Sequence, residues 1–247
     1  MLDAAAPTEA ELRVDLAAAL RLAAREGWHE AVANHFSAAV SEDGRRFLVN
    51  PRWKHFSRVR ASDLLLVDAD DPATMDRPDA PDPTAWTIHG ALHRRLPGAR
   101  VALHLHPPYL TALAGLKDPR ILPIDQVTAR WHDRLAYDMA FGGIAHEAEE
   151  GERIAATFGN HHAVLMGNHG ATTIGATVAD AYDAMYHLER AARTMVLALS
   201  TGRDLAVMDE PLAEETARGW ETDGAERQAH FAEMKAILDR EDPDYAD

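Results

Sequence analysis

The amino-acid sequence predicts an α/β fold for this chain of 247 residues. Segments with apolar residues at helical spacing alternate with short apolar runs that are typical of buried strands. Hydrophobic residues make up 47% of the chain, which is enough for a sizeable core. We therefore expect one domain over residues 1–247, with a core at about 9–200 and a C-terminal helical extension at about 210–240.

The first helix and the hairpin after it carry clear boundary signals. Thr8 and Glu11 have the spacing of a capping box, and Gly27 is a suitable end for the helix. The runs 38–40 and 46–50 flank a Glu-Asp-Gly turn, which predicts a hairpin. The polar residues at the start of its first strand fit turn chemistry as well as a functional role.

A strand, a surface loop and a second helix follow. The apolar run 64–67 predicts a short strand, and residues 69–83 are rich in Asp and Pro, as in a surface loop. Thr84 is a suitable cap for a helix over 86–96, which Pro97 would end.

The remaining elements follow the same patterns. We expect a short helix at 109–116, followed by irregular chain at 121–143 that contains a strand at 135–137. A helix at 147–158 and strands at 162–166 and 171–174 come next. A helix capped by Thr177 and Asp180 runs to about Leu199, and a last helix carries Trp220, Phe231, Met234, Ile237 and Leu238.

The most informative stretch is the run 101–108, which reads Val-Ala-Leu-His-Leu-His-Pro-Pro. Side chains two apart on a strand share a face, so His104 and His106 project together at the point where the prolines end the strand. Two such histidines alone also fit a purely structural role. A third histidine, His169 in an Asn-His-Gly turn, makes a metal site the preferred interpretation.

Composition excludes several classes of partner. The chain has 25 Lys and Arg against 40 Asp and Glu, a net charge of -15, which argues against nucleic acid and anionic membranes. Because the chain has no cysteine, a metal must be held by histidines and carboxylates. We find neither a secretory signal nor an apolar run of about 20 residues, so we expect a cytoplasmic protein.

The order of these signals resembles the class II aldolase/adducin family, from the first helix to the helix after His169. The segments that carry the resemblance are Ala61-Ser62-Asp63 before Leu64–Asp68, the helix Trp86–Leu96 running into His104-Leu105-His106, and Asn168-His169-Gly170 before the long helix with His187-Leu188-Glu189.

The resemblance implies a three-layer α/β/α sandwich with a central, mostly antiparallel sheet, assembled as a homo-oligomer that is usually a tetramer. It also implies that His104, His106 and His169 bind a divalent metal ion. Zinc is the first expectation, with manganese or iron as alternatives. Such an ion would polarise a carbonyl or enediolate oxygen of a small-molecule substrate.

The chain departs from the sugar-phosphate aldolases of this family at their main functional positions. Ala85 stands where those enzymes have a catalytic Glu, so the chain resembles an adducin-like branch that lacks it. Pro83-Thr84, Arg52-Trp53 and His35 stand where they bind phosphate. A sugar-phosphate substrate is therefore not expected.

The replacements suggest a different substrate. We expect His35 to be a catalytic acid or base that titrates near neutral pH, Arg52 to bind a carboxylate, and Trp53 to narrow the pocket for a planar substrate. The hypothesis is a metal-dependent carbon–carbon lyase, of decarboxylase or aldolase type, that acts through a metal-stabilised enolate. Tyr137 and Asp125 lie in a region that could reach a neighbouring subunit's site, and both also fit structural roles.

Two alternatives are open at this point. The first is an iron-dependent oxygenase on the same fold, which metal analysis distinguishes from a lyase. The second is a non-catalytic, adducin-like binding protein. Loss of the Glu favours the second alternative, whereas retention of three candidate metal ligands favours an enzyme.

Overall fold

A seven-stranded sheet forms the centre of the computed structural model, which describes residues 7–96, 98–140, 148–222 and 224–247. The expected boundary residues Pro97 and Glu147 lie outside these ranges. The strand order is β3-β2-β1-β4-β7-β6-β5, and each neighbouring pair is antiparallel except β5 and β6. The strands are β1 (His35–Ala39), β2 (Arg46–Val49), β3 (Leu65–Asp68), β4 (Val101–Leu105), β5 (Ala136–Asp138), β6 (Ala163–Met166) and β7 (Ala171–Gly175).

Helices cover both faces of the sheet. Residues of α1, α3, α6 and α8 share one buried cluster with the sheet, and residues of α2 and α5 share another. The three-layer α/β/α fold is thereby confirmed. The helices are α1 (Glu9–Arg25), α2 (Pro83–Arg95), α3 (Pro108–Ala114), α4 (Gln126–Ala129), α5 (Ala148–Thr157), α6 (Val178–Ser200), α7 (Glu210–Glu221) and α8 (Gly224–Glu241). In the described ranges, no helix has the length and apolar character needed to span a membrane.

Strand β4 shows why both faces need a helical layer. Val101, Leu103 and Leu105 pack in the cluster that contains α1 and α6, whereas Ala102 packs in the cluster that contains α2 and α5. Every residue of the strand is buried, as expected for a central strand covered on both sides. The polar side chain of His104 is therefore placed inside the protein.

Two helix starts agree with the capping patterns of the sequence. Thr8 and Glu11 form a complete capping box at α1, and Thr177 and Asp180 form another at α6. In each box the cap hydroxyl accepts a backbone hydrogen bond, and the acidic side chain accepts one from the cap residue.

Two sequence predictions are wrong in detail. Asp82, not Thr84, caps α2, because its carboxylate accepts the N–H of Thr84 at 2.9 Å and Pro83 occupies the first turn. The C-terminal region forms two helices, α7 and α8, rather than one. Phe231 and Leu238 of α8 join the buried cluster of α1 and α6.

A buried carboxylate ties α8 to the rest of the protein. Asp183 of α6 accepts hydrogen bonds from Arg130, at the end of α4, and from His230 of α8, both at 2.8 Å. Burial alone would raise the pKa of Asp183, but hydrogen bonds from His187 and His230 and the charge of Arg130 outweigh it and hold the pKa well below its usual range.

We predict that Asp183→Asn destabilises the protein by about 3 kcal/mol, because it leaves the Arg130 guanidinium buried without its counter-charge. Urea denaturation measures this loss. The depressed pKa means that the stability contributed by Asp183 is present above the unfolded value of about 3.9 and is lost as the pH falls below it. The difference between variant and wild type should therefore shrink below about pH 4.

The control is the exposed Glu233, on the α8 helix that Asp183 contacts through His230. Glu233→Gln should leave the free energy of unfolding unchanged within about 0.5 kcal/mol. Equal stability of Asp183→Asn and Glu233→Gln at neutral pH would contradict the structural role given to Asp183.

Candidate metal centre

Three neighbouring strands place the first polar residues of the site in one row. In the register of the sheet, His35 of β1 lies opposite His104 of β4, and His104 lies opposite Thr172 of β7. Paired residues on adjacent strands project to the same face. The His35 ring stacks on the His104 ring at a centroid distance of 4.9 Å, and Thr172 is fully buried beside them.

The structure brings the three histidines predicted as metal ligands together. The ring centroids of His104 and His106 are 5.1 Å apart, and the His169 ring lies 4.8 Å from each. One nitrogen atom from each of the three rings lies within 4.8 Å of the other two. This is the arrangement that a single cation with three imidazole ligands requires.

A tight turn between β6 and β7 places His169. Asn168 adopts a positive φ of 54°, and its N–H donates to the carbonyl of Ala114 at 2.9 Å. Gly170 is required because a Cβ atom there would lie 2.3 Å from the carbonyl oxygen of Leu105. The Asn-His-Gly sequence thus lets the turn approach the end of β4 closely enough for His169 to reach the other rings.

The outer ring nitrogens of two of these histidines have hydrogen-bond partners. Nδ1 of His104 lies 3.0 Å from Oγ1 of Thr172, and Nδ1 of His106 lies 2.5 Å from Oε2 of Glu30. The two Nε2 atoms, 3.2 Å apart, face each other. Metal-binding histidines typically have this arrangement, with one nitrogen held by an outer group and the other directed at the ion.

Burial favours the uncharged imidazoles that bind metals. It lowers the pKa of His169 to about 4, and the neighbouring His106 acts in the same direction. It also lowers the pKa of the fully buried His104 well below its usual value. The donor set therefore fits a divalent cation that accepts nitrogen ligands, such as zinc.

A second group of potential ligands also comes together. Asp183, His187 and His230 offer ligand atoms within 4.8 Å of one another. However, the Arg130 guanidinium already lies 2.8 Å from the Asp183 carboxylate, and its positive charge opposes a second cation. The three-histidine cluster is the better metal centre.

A buried chain of hydrogen bonds leads away from His35. Its Nδ1 lies 2.7 Å from Nε2 of His89, and Nδ1 of His89 contacts the hydroxyl of Ser37. The same hydroxyl lies 2.7 Å from Nε2 of His93, whose Nδ1 lies 2.6 Å from the carbonyl oxygen of Ala99.

The carbonyl oxygen of Ala99 determines which atom donates and which accepts in each of these hydrogen bonds. A carbonyl oxygen can only accept, so His93 must donate through Nδ1 and accept the Ser37 proton on Nε2. Ser37 then accepts from Nδ1 of His89, and Nε2 of His89 accepts from Nδ1 of His35. In its neutral form, His35 is thereby held with Nε2 as its free acceptor.

The accepting nitrogen of His35 faces the start of α2. Nε2 lies 3.2 Å from the hydroxyl of Thr84, which donates to the carboxylate of Asp82 at 2.6 Å. Burial lowers the pKa of His35 to about 4, although the Asp82 carboxylate acts in the opposite direction. This value is lower than the near-neutral pKa expected from the sequence, because the sequence does not show that the ring is buried.

The other residues that the sequence analysis named have contacts of their own. Arg52 and Trp53 follow β2 and contact each other, with the guanidinium 3.6 Å from the ring centroid. In the single chain the Trp53 side chain is 71% exposed. Tyr137 and Asp125 have structural roles, since the Tyr137 hydroxyl accepts a backbone N–H and Asp125 caps α4.

The position of the family Glu is also defined by the structure. Ala85 is fully buried, in a small cluster with Phe47 and Val49. Its methyl group cannot transfer a proton.

Sequence reasoning missed three contacts of the site, those made by Glu30, Thr172 and Ser37. Strand pairing could have indicated Thr172 and Ser37, because both lie on the sheet face of His35 and His104. No periodic signal marks Glu30, which lies in the irregular connection between α1 and β1.

Comparison with known proteins agrees with this geometry. A family model described as "Class II Aldolase and Adducin N-terminal domain" matches residues 14–196. The chain is 35% identical to a "Putative aldolase class 2 protein" of Caulobacter vibrioides, with the full length of both chains covered. The crystal structure of an aldolase II superfamily protein from Pseudomonas syringae has a TM-score of 0.88 at 31% identity, covering 99% of this chain and 98% of that one.

Two further relatives have names that state a reaction. The 4-hydroxy-3-prenylphenylpyruvate oxygenase/4-hydroxy-3-prenylbenzoate synthase of Streptomyces roseochromogenus is 30% identical, covering 88% of this chain and 77% of its own. Decarboxylase NovR of Streptomyces niveus is 30% identical, covering 72% of this chain and 66% of its own. From the matched domain and the full-length similarity, we conclude that the chain belongs to the class II aldolase and adducin family.

Proposed function

We propose that this protein is a metal-dependent carbon–carbon lyase, of decarboxylase or aldolase type, that acts on a non-phosphorylated carboxylated or carbonyl substrate. The observation that supports this most is the convergence of His104, His106 and His169, with the Nε2 atoms of the first two facing each other. Three imidazoles that converge in this way fit a divalent cation that accepts nitrogen ligands.

The three histidines would hold one divalent ion, with zinc preferred over manganese or iron. When bound, the ion supplies positive charge that stabilises the negative charge developing on an enolate oxygen. A site with three protein ligands leaves coordination positions open for a substrate, which is typical of catalytic rather than structural zinc.

His35 is the proposed proton-transfer residue. Its ring stacks on His104, so a substrate that reaches the metal centre also comes close to His35. His89 holds its Nδ1, which leaves Nε2 to take the hydroxyl proton of a substrate in retro-aldol cleavage. Decarboxylation breaks its bond without prior proton removal, so the alanine at position 85 is compatible with that reaction.

Arg52 and Trp53 are the proposed substrate-binding residues. The Nε atom of Arg52 is buried and has no hydrogen-bond partner among the described residues, so the guanidinium can still bind a carboxylate. The exposed Trp53 ring offers a flat surface for a planar substrate group. We include in this proposal a cytoplasmic homotetramer, in which a neighbouring subunit would cover the Trp53 side chain.

One observation favours a second candidate function. The Streptomyces roseochromogenus relative is named an oxygenase, so an iron-dependent oxygenase is the alternative enzyme. The adducin part of the family name keeps a non-catalytic binding protein as a third possibility. The two experiments below separate these three functions.

We predict that the purified protein contains one divalent metal ion per chain and that His169→Ala loses it, because two imidazoles bind such an ion far more weakly than three. Elemental analysis by inductively coupled plasma mass spectrometry measures the metal content. Zinc or manganese supports the lyase, and iron supports the oxygenase. His162→Ala, at an exposed histidine, should retain the ion. Metal-free wild-type protein that also fails to take up added zinc would refute the proposed metal centre.

We also predict that the zinc or manganese form accelerates exchange of the C3 protons of 4-phenyl-2-oxobutanoate in deuterated water, followed by proton NMR. This 2-oxo acid carries a carboxylate and an aromatic ring, and its exchange requires an enolate. His35→Asn should slow exchange at least about 100-fold, and Arg52→Ala should raise KM by about 10-fold or more.

The exposed His162→Ala variant serves as the control and should keep the wild-type exchange rate. Full exchange rates in both His35→Asn and Arg52→Ala would show that these are the wrong pocket residues. Oxygen consumption by the iron form with the same compound would instead favour the oxygenase.

A further inference from the structure

We infer that Glu30 is a positioning residue of the metal centre, whose carboxylate holds His106 with Nε2 directed at the cation. The inference rests on the proposed binding of a divalent ion by the three histidines. Neither the sequence pattern nor the family resemblance pointed to this residue.

The contact itself determines the protonation of the His106 ring. A carboxylate accepts hydrogen bonds, so the 2.5 Å contact with Oε2 of Glu30 requires a proton on Nδ1 of His106. In a neutral imidazole, Nε2 then carries the free lone pair. That atom lies 3.2 Å from Nε2 of His104, on the side of the ring where the three histidines converge.

The chain around Glu30 is held in a defined conformation. The N–H of Glu30 donates to Oδ1 of Asn34 at 2.8 Å, and its carbonyl accepts the N–H of Ala33 at 2.8 Å. Ala31 and Asn34 have positive φ values of 50° and 72°, a backbone conformation that residues other than glycine rarely adopt. Backbone of this kind persists where surrounding contacts enforce it, and it is common at functional sites.

The charge of Glu30 complements the ligand set. Three neutral imidazoles leave the full positive charge of a divalent ion uncompensated, and Ala85 contributes no carboxylate. Thr172, the partner of His104, is a neutral hydroxyl. Glu30 supplies a negative charge one hydrogen bond away from a ligand, an arrangement that strengthens metal binding elsewhere by about 10- to 100-fold.

Zinc affinity of the purified protein tests the inference, measured by competition with a chromophoric chelator. Glu30→Ala should bind zinc about 10- to 100-fold more weakly than wild type. Glu30→Gln should give an intermediate affinity, because the amide oxygen still accepts from Nδ1 but has no charge. Since the Glu30 side chain is 65% exposed, both variants should fold, which circular dichroism verifies.

The matched control is Glu26→Ala, at an exposed acidic position just after α1. It removes the same charge from the same connection without touching His106 and should keep the wild-type affinity. An equal loss in Glu26→Ala and Glu30→Ala would mean that only overall charge matters, which overturns a positioning role.

A second readout does not depend on metal or activity. In zinc-free protein, long-range proton–nitrogen NMR of histidine rings should show the neutral His106 protonated on Nδ1. Glu30→Ala should lose this preference, whereas Glu26→Ala should keep it. Wild-type protein that binds no zinc would refute the proposed function itself. Wild-type protein that binds zinc, with unchanged affinity and unchanged His106 protonation in Glu30→Ala, would overturn this inference alone.

Discussion

The antiparallel register of β1, β4 and β7 is the constraint on which the rest of the site depends. It places His35, His104 and Thr172 in one row on a single sheet face. If the register of β4 shifted by one residue, the His104 side chain would point to the opposite face of the sheet, and Leu103 or Leu105 would take its place. The large apolar side chains of β4 therefore secure the position of His104, because they must remain in the cluster with α1 and α6.

Polar residues in a covered sheet need partners, and the protein supplies them in two ways. One is the series of hydrogen bonds from His35 through His89, Ser37 and His93 to the carbonyl of Ala99, which gives a partner to Nδ1 of His35 and to both ring nitrogens of His89 and His93. The other is the metal centre, where the Nε2 atoms of His104 and His106 face each other and a cation would bind both. Both arrangements use neutral imidazoles, which are less costly to bury than charged ones.

Much of this architecture could be predicted from local sequence signals. The capping boxes, the hairpin of β1 and β2 and the strand through His104 depend on neighbouring residues, and the structure agrees with them. The sequence offered His169 as a candidate third ligand, but its binding of one ion together with His104 and His106 was implied by the family resemblance, because no local pattern reports contacts between distant segments. Within the turn that carries it, Gly170 is explained only once the carbonyl of Leu105 is seen to lie where its Cβ would be.

What the sequence did not reveal has physical causes as well. The low pKa of His35 follows from burial, and Glu30 reaches His106 through an irregular loop without periodicity.

Anomalous X-ray diffraction from crystals of the purified protein tests the central claim most directly. The account predicts a metal peak about 2.0–2.1 Å from a ring nitrogen of each of His104, His106 and His169. A metal bound instead by Asp183, His187 and His230, or three rings that do not converge on a common ion, would contradict it.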